Sequence, residues 1–287
     1  MGNEAQPHIV VSGVDVVYEG NPRPLQALAG IDLSVGRGEF VSIIGPSGCG
    51  KSTLLRVIGG LQTPTAGEVR IDGRAPKDAQ RSKQLGFVFQ DPSLLPWRSV
   101  LDNVRLPLQV NRRTPARPEA PVGRGQENLH PGLNSGASSR PEDPQRMVDL
   151  VGLRDFSRYY PHQLSGGMQQ RVAIARSFVT SPSVLLMDEP FGALDEITRT
   201  AMRYELMRIW RSEAAERACT VVFVTHSIAE AVLMSDRVIV MSPQPGRIAV
   251  GLDIDLPRPR DEDIEATPAF VEHTQTLRGL LREHARV

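Results

Sequence analysis

The stretch Gly45-Pro46-Ser47-Gly48-Cys49-Gly50-Lys51-Ser52 follows the apolar run 40–44 and precedes a helical pattern over 51–61. It fits the motif G-x-x-x-x-G-K-[ST], whose glycines let backbone N–H groups point at a phosphate group. The helix N-terminus adds positive potential at the same place. We expect Lys51 to reach the β- and γ-phosphates of a nucleotide and Ser52 to offer its hydroxyl to Mg²⁺. An ordinary glycine-rich turn is the alternative, and the flanking strand and helix argue against it.

The segments around this loop alternate between strand and helix patterns. Strand patterns lie at 9–11, 14–18, 28–35, 40–44, 69–71, 85–89, 184–187 and 221–225, and helical patterns at 51–61, 99–110, 145–158, 167–179, 195–215 and 227–233. Such alternation predicts a largely parallel sheet. We therefore expect an α/β fold: a phosphate-loop nucleotide-binding core with an N-terminal antiparallel β section and an inserted α-helical section near 95–160.

Residues 111–144 differ in composition from the rest of the chain. They include six Pro, four Gly and three Ser, and their only large aliphatic residues are Val122, Leu129 and Leu133. A segment of this kind buries too little apolar surface to offset its ordering entropy. We expect a disordered surface insertion within the helical section, with a regulatory docking loop as the alternative.

The overall composition excludes several classes of protein. The chain has 33 Lys+Arg and 33 Asp+Glu, and this zero net charge argues against binding nucleic acid through bulk charge. Its two cysteines are too few for a disulfide framework and fit a reducing cytoplasm. No signal-peptide pattern is visible, and no apolar stretch approaches the ~20 residues that span a bilayer. We expect any role at a membrane to be exerted through a partner.

The apolar run 184–187 ends in two carboxylates, Asp188 and Glu189. In a nucleotide enzyme the first carboxylate can hold Mg²⁺ through water, and the second can orient or deprotonate the attacking water. Solvated acids at a strand end are the alternative. The phosphate loop favours the functional interpretation.

A second candidate anion site lies in Leu164-Ser165-Gly166-Gly167-Met168-Gln169-Gln170-Arg171. A serine and two glycines precede a helix there, so backbone N–H groups at its N-terminus can face an anion. A flexible N-cap is the alternative. The stretch resembles the signature of the ATP-binding-cassette (ABC) ATPases.

That resemblance assigns roles to four further residues. Tyr18 resembles the aromatic residue that stacks on adenine, and Gln90 the glutamine that contacts Mg²⁺ and the attacking water. Asp195 lies in a loop similar to the one that crosses to the partner subunit, and His226 resembles the switch histidine that contacts the γ-phosphate. The alternatives are that Tyr18 is a half-buried strand tyrosine, that Gln90 is an ordinary loop amide, and that His226 is a polar residue with its hydrogen bonds satisfied.

The resemblance covers roughly residues 8–250, apart from the insertion 111–144, as one ABC ATPase domain with a helical subdomain at about 91–165. Residues 251–287 are expected to form a C-terminal tail. It implies a dimer that clasps ATP between Gly45–Thr53 of one subunit and Ser165–Gly167 of the other. Glu189 would be the base. The residues that would hold Mg²⁺ are Ser52, Gln90 and Asp188.

The chain departs from the family pattern at two positions. Met168 stands where the commonest signature has Gln, and its thioether cannot donate a hydrogen bond. Ser227 replaces the Asp that often follows the switch histidine, so we expect looser local hydrogen bonding there. Activity is expected to survive both changes, because Ser165, the glycine amides and His226 remain.

Two finer motifs are similar to those of the nitrate/sulfonate/taurine-type importers: the stretch 94–104 and the stretch 241–248. This resemblance implies an ATPase at the cytoplasmic face of the cell membrane. It would power uptake of a small solute through an integral permease, together with an extracytoplasmic solute-binding protein and without nucleic acid. Trp97 is then either a core residue or part of a groove for a partner helix. We expect no large C-terminal regulatory domain.

Three other functions are compatible with parts of this pattern. A soluble ABC-type ATPase of DNA repair or translation is the first, although the single phosphate loop and the lack of an extended heptad run argue against it. A phosphate-loop kinase is the second, but it has no use for Ser165–Gly167. A nucleotide-binding regulator is the third, and Glu189 with His226 argues against it.

Overall fold

The computed structural model describes residues 7–20, 23–110, 142–192, 194–217 and 219–284. Within these ranges the strands are β1 (Ile9–Tyr18), β2 (Leu25–Val35), β3 (Phe40–Ile44), β4 (Ala66–Ile71), β5 (Leu85–Val88), β6 (Val184–Asp188), β7 (Thr220–Val224), β8 (Arg237–Met241) and β9 (Ile248–Asp253). The α-helices are α1 (Lys51–Ile58), α2 (Pro76–Arg81), α3 (Val100–Gln109), α4 (Pro144–Leu150), α5 (Gly166–Phe178), α6 (Glu196–Arg217), α7 (Ile228–Met234) and α8 (Pro268–His284).

The larger sheet has the strand order β5-β6-β7-β3-β8-β9. Its first five strands are parallel, and β9 pairs antiparallel with β8. The strands β3, β6 and β7 are buried along their whole length, as parallel strands covered on both faces must be. The predicted parallel core is confirmed.

The smaller sheet is antiparallel and has the order β2-β1-β4. Buried residues alternate with exposed ones along much of β2, because only one face of this sheet packs on the core. This sheet is the predicted N-terminal antiparallel section, and the prediction is confirmed.

Two apolar layers cover the larger sheet. Alternate residues of its strands face α1 and the antiparallel sheet on one side, for example Val41 and Ile43 of β3. The intervening positions, such as Phe40 and Ile44, face a layer that includes residues of α5, α6 and α7. The core therefore fixes β3 from both sides, immediately before the glycine-rich loop.

The inserted helical section consists of α3 and α4 packed against α5. The helix predicted over 145–158 is shorter than expected, because Gly152 adopts a left-handed backbone (φ 68°) just after α4. Of the predicted disordered insertion, residues 111–141 lie outside the described residues. Asp143 and Pro144 begin α4, and the Asp143 carboxylate accepts a hydrogen bond from the N–H of Gln145 (3.1 Å).

The C-terminal region contains elements that the sequence patterns did not indicate, namely β8, β9 and α8. Helix α8 packs against α7 and β8, with Phe270 and Leu277 buried. The expected domain boundary at residue 250 falls inside β9. The short helix α2 also lies outside the predicted set.

Candidate active site

Strand order brings four of the predicted parts of the site to one edge of the larger sheet. The carboxyl ends of parallel strands meet at the same edge. Following the order β5-β6-β7-β3, the segments that leave this edge carry Gln90, then Asp188 and Glu189, then His226, then the glycine-rich loop. Residues distant in sequence therefore form one row.

The glycine-rich loop between β3 and α1 is packed too tightly for side chains at two of its glycines. Gly50 caps α1 with a φ of 96°, and a Cβ at this position would lie 2.6 Å from Leu28 Cδ2. A Cβ at Gly45 would lie 2.8 Å from the carbonyl oxygen of Met241. Both positions therefore require glycine.

The Lys51 side chain folds over this loop. Lys51 is 6% exposed, and its Nζ donates to the carbonyl oxygens of Gly45 (2.9 Å) and Pro46 (3.0 Å). Neighbouring Cys49 is buried, and burial raises the pKa of its thiol. The loop thus presents a buried ammonium group next to a buried thiol.

Ser52 and Asp188 form the second part of the site. Ser52 Oγ donates to Asp188 Oδ1 at 2.8 Å, although the two residues are 136 positions apart. Burial raises the pKa of the Asp188 carboxyl, and the hydrogen bond from Ser52 opposes this shift. A hydroxyl and a single carboxylate match the oxygen ligands of Mg²⁺ in sites that it shares with nucleotide phosphates. Among the described residues, no cluster of three His, Cys, Asp or Glu could hold a metal without such phosphates.

Glu189 occupies the centre of the row. Its backbone is left-handed (φ 46°), and its N–H donates to the carbonyl oxygen of Val224 (2.9 Å) at the end of β7. Its Oε2 lies 3.4 Å from Gln90 Nε2 and 3.4 Å from His226 Nδ1. The His226 side chain is 62% exposed and that of Glu189 23%. The three groups that the sequence assigned to water and γ-phosphate are therefore in contact.

Tyr18 lies at the end of β1 and is 37% exposed. Its hydroxyl contacts Thr53 Oγ1 (3.2 Å) and donates to Gln62 Oε1 (2.8 Å), so the ring sits beside the start of α1. Gln62 could not be identified from the sequence, because nothing in its local pattern distinguishes it from any surface amide.

The stretch 164–171 supplies the N-terminus of α5. Ser165 caps this helix by accepting a hydrogen bond from the N–H of Met168 (3.3 Å). Ser165 and Gly166 are exposed, and a Cβ at Gly166 would meet nothing within 4 Å. The Met168 side chain packs against the apolar layer that includes residues of α5, α6 and α7. The helix start predicted to bind an anion therefore faces solvent in the single chain.

A family model described as ABC transporter matches residues 28–192. This range is more than half of the chain and includes the phosphate loop, the helix start at Ser165 and the Asp188-Glu189 pair. The chain belongs to the ABC transporter family.

Curated relatives place this ABC protein more finely. An aliphatic sulfonates import ATP-binding protein of Xanthomonas axonopodis pv. citri is 44% identical over 82% of this chain and 83% of its own length. A taurine import ATP-binding protein of Rhizobium johnstonii is 40% identical over 90% of both chains. A nitrate import ATP-binding protein of Synechocystis sp. is 38% identical over 96% of this chain and 95% of its own. The predicted resemblance to this importer subfamily is confirmed, and these relatives give no support to DNA repair or translation.

A solved structure agrees with the fold of this ABC protein. It is an ATP-binding cassette described as a dimer in a post-hydrolysis state bound to ADP and Pi. It matches with a TM-score of 0.68 and 34% identity, over 86% of this chain and 99% of its own. In the part of the chain that the structure describes, no helix is long and apolar enough to cross a membrane.

Asp195 begins α6 of the ABC domain. Its carboxylate accepts a hydrogen bond from the N–H of Thr198 (3.0 Å), and this bond lowers the pKa of the carboxyl. Arg199 Nη2 donates to the carbonyl oxygen of Leu194 (2.7 Å) and fixes the preceding loop. Ala193 lies outside the described residues. Asp195 is exposed and does not contact the row around Glu189 in the described hydrogen bonds.

The region after His226 keeps its hydrogen bonds despite the replacement of Asp by Ser. Ser227 caps α7, since its Oγ accepts a hydrogen bond from the N–H of Glu230 (3.3 Å). Its own N–H donates to Thr225 Oγ1 (3.0 Å). The expected loosening is therefore not seen in these contacts.

Trp97 is 71% exposed, so the interpretation as a core residue is wrong. The loop that carries it is fixed from inside by Asn103, which is fully buried. Asn103 Oδ1 accepts from the N–H of Leu95 (2.8 Å), and Nδ2 donates to the carbonyl oxygen of Arg98 (3.0 Å). A rigid loop thus presents an exposed indole close to residues 89–93, which are called the Gln90 segment below.

Two residues of α5 connect this helix to the Gln90 segment by hydrogen bonds. Neither was predicted from the sequence as a site residue. Gln170 Nε2 donates to the carbonyl oxygen of Phe89 (3.4 Å). Arg176 donates to the carbonyl oxygens of Pro92 (2.7 Å) and Ser93 (2.9 Å). Their roles depend on contacts about 80 residues away in the sequence, which local patterns do not show.

Proposed function

We propose that this chain is the ATP-hydrolysing subunit of an ABC importer. It powers uptake of a small solute of the aliphatic sulfonate, nitrate or taurine class through a membrane permease. The observation that carries the proposal is the position of Glu189, whose carboxylate contacts Gln90 and His226 beside the Ser52–Asp188 pair. A carboxylate placed there can accept a proton from water at the end of a bound triphosphate.

ATP binds the phosphate loop, with the residues 45–53 around its phosphates and Tyr18 beside its base. Lys51 supplies positive charge, and His226 contacts the γ-phosphate. Glu189 accepts the proton of the attacking water, which the Gln90 amide helps to orient. Mg²⁺ would be held by Ser52, Asp188 and Gln90, and would neutralise charge on the phosphates when bound.

Two copies of the chain share each nucleotide in this proposal. The exposed start of α5, Ser165–Gly167, covers ATP bound to the partner's phosphate loop, and Asp195 crosses at the same interface. The dimeric form of the similar solved cassette supports this arrangement. The γ-phosphate contributes contacts between subunits only while it is intact, so ATP favours the closed dimer and hydrolysis releases it.

The permease contacts an aromatic surface made of Trp97, Tyr159 and Tyr160. These side chains are 71%, 42% and 43% exposed, and the carbonyl oxygen of Tyr159 accepts a hydrogen bond from the N–H of Val100 (2.8 Å). Exposed aromatic residues on a fixed loop are typical anchors of protein interfaces. The chain would then work at the cytoplasmic face of the membrane, while the permease and an external solute-binding protein select the solute.

Replacing Glu189 tests the hydrolytic role. In Glu189→Gln we expect ATP binding to persist and turnover to fall by about 10² to 10⁴, the usual contribution of a general base. The matched control is Glu272→Gln, an exposed carboxylate of α8. Hydrolysis by Glu189→Gln at the wild-type rate would contradict the proposed base.

A second experiment tests the partner. Tagged wild-type protein should co-purify with an integral membrane permease from solubilised membranes, and Trp97→Ala should reduce the recovered permease while its own ATP hydrolysis stays near the wild-type rate. Recovery with nucleic acid in place of a membrane protein would favour the rival function in DNA repair or translation.

A further inference from the structure

The side chain of His226 is largely exposed, yet the residues on either side are firmly held. Thr225 is 2% exposed, and its N–H donates to the carbonyl oxygen of Ile43 (3.3 Å) at the end of β3. Ser227 begins α7 as its N-cap. His226 therefore projects from a short junction between a buried strand and a capped helix.

The Thr225 hydroxyl bridges this junction. Its Oγ1 accepts a hydrogen bond from the N–H of Ser227 (3.0 Å) and donates to Glu230 Oε2. The hydrogen bond from Ser227 to Thr225 spans the backbone of His226. It therefore restricts the φ and ψ angles of His226, which set the direction in which the imidazole leaves the backbone. Glu230 in turn fixes the Thr225 hydroxyl in the rotamer that accepts from Ser227.

Glu230 places a carboxylate in a buried position. It is 4% exposed in the first turn of α7, and a buried carboxylate is costly unless it is hydrogen-bonded or faces positive charge. Burial raises the pKa of its carboxyl, and the hydrogen bond from Thr225 and the nearby cations Arg203 and Arg199 of α6 oppose this rise only in part. An apolar side chain would fill the same space without this cost, but it could not hold the Thr225 hydroxyl.

We propose that Thr225 and Glu230 are positioning residues that hold the His226 imidazole against Glu189 and the γ-phosphate. This inference rests on the proposed ATP hydrolysis. Both residues are almost fully buried. They act through His226, whose Nδ1 lies 3.4 Å from Glu189 Oε2. The competing explanation is that the pair only braces the junction of β7 and α7.

The test is a double-mutant cycle measured at saturating ATP. Thr225→Val keeps the shape of the side chain and removes the hydroxyl, whereas Thr225→Ser keeps the hydroxyl. We expect Thr225→Val to lower kcat about tenfold with little change in KM, since small displacements of a reacting group cost large factors in rate. Thr225→Ser should retain most of the wild-type kcat. In a His226→Ala background, Thr225→Val should have no further effect.

Two outcomes overturn the inference: a wild-type kcat in Thr225→Val, or the same loss in the presence and the absence of His226. The second outcome is the one expected from a junction brace, and a thermal unfolding measurement on each variant shows whether the fold survives.

A wild-type protein that hydrolyses no ATP would instead overturn the proposed function. In that case ¹³C NMR relaxation of the His226 ring decides the inference. The signal of this ring is assigned as the one that disappears in His226→Ala. The ring should become more mobile in Thr225→Val than in Thr225→Ser, and equal mobility overturns the positioning role.

Discussion

At the scale of single residues, Gly246 links the motif at 241–248 to the phosphate loop. Its N–H donates to the carbonyl oxygen of Ala27 (2.9 Å), and its own carbonyl oxygen accepts from the N–H of Ala29 (3.0 Å) in β2. A Cβ at Gly246 would lie 2.0 Å from the carbonyl oxygen of Cys49. The segment after β8 is therefore packed against the glycine-rich loop that we propose to bind phosphate, which gives this subfamily motif a structural role.

The substitution Gly246→Ala should displace the phosphate loop. Because the obstructing atom belongs to the backbone, the clash cannot be relieved by a rotamer change, and we expect a loss of about 1–3 kcal/mol in the free energy of unfolding together with weaker ATP binding. Thermal unfolding and nucleotide titration measure both quantities.

Gly279→Ala is the matched control for this substitution. Gly279 lies within α8, and a Cβ there would meet nothing within 4 Å. Alanine in a helix interior should stabilise the protein by about 0.5–1 kcal/mol and leave ATP binding unchanged. If Gly246→Ala behaved like Gly279→Ala, the packing of 241–248 would have no bearing on the phosphate loop.

The residues of the site that could be predicted from the sequence are those whose role depends on local spacing. Lys51 and Ser52 follow their glycines at fixed distances, and Asp188 and Glu189 follow an apolar strand. Thr225 and Glu230 could not be found in this way. Glu230 stands out only because its carboxylate is buried, and that burial depends on packing against α6 and β3. The same holds for Arg176, whose partners come from another segment of the chain.

At the scale of elements, α5 connects two parts of the site. Its exposed N-terminus carries Ser165, and further along the helix Gln170 and Arg176 hold the backbone of residues 89–93. In the proposed dimer, this helix would connect the Gln90 segment to the surface that covers the partner's nucleotide, so a change at one place would reach the other.

Removing the Arg176 contacts should release the Gln90 segment. In Arg176→Gln we expect faster amide hydrogen exchange over residues 89–98 and a lower kcat, with ATP affinity near the wild-type value, because the phosphate loop lies on other elements. The control is Arg105→Gln, an exposed arginine of α3 whose ion pair with Asp102 is 3.8 Å long. Unchanged exchange over 89–98 in Arg176→Gln would mean that other contacts hold this segment.

The elements themselves could be predicted where their pattern is strong. Five of the six strands in the larger sheet are parallel, and the runs 40–44, 184–187 and 221–225 are largely apolar segments of strand length. Helix α8 is harder to predict, because its fully packed residues Phe270 and Leu277 are two turns apart and charged residues lie between and after them. Its place against α7 follows from tertiary packing alone.

At the scale of the whole molecule, the open surface at the start of α5 predicts how two copies of the chain complement each other. A Cβ at Gly166 meets nothing within 4 Å in the single chain, so Gly166→Glu should fold normally. In a shared site its carboxylate would face the partner's triphosphate and repel it. We expect Gly166→Glu to bind ATP but to lose hydrolysis and ATP-induced dimerisation, whereas Gly279→Glu on α8 keeps both.

Mixing two inactive variants then distinguishes shared sites from separate ones. Lys51→Ala disables the phosphate loop, and Gly166→Glu disables the covering surface. If each site combines the loop of one chain with Ser165–Gly167 of the other, a mixed dimer contains one site with both defects and one wild-type site. ATPase activity of the mixture should therefore rise above that of either variant alone and depend on the mixing ratio. If each site belonged to a single chain, every site in the mixture would carry one defect and no activity would return, so a mixture as inactive as its components contradicts the shared dimer.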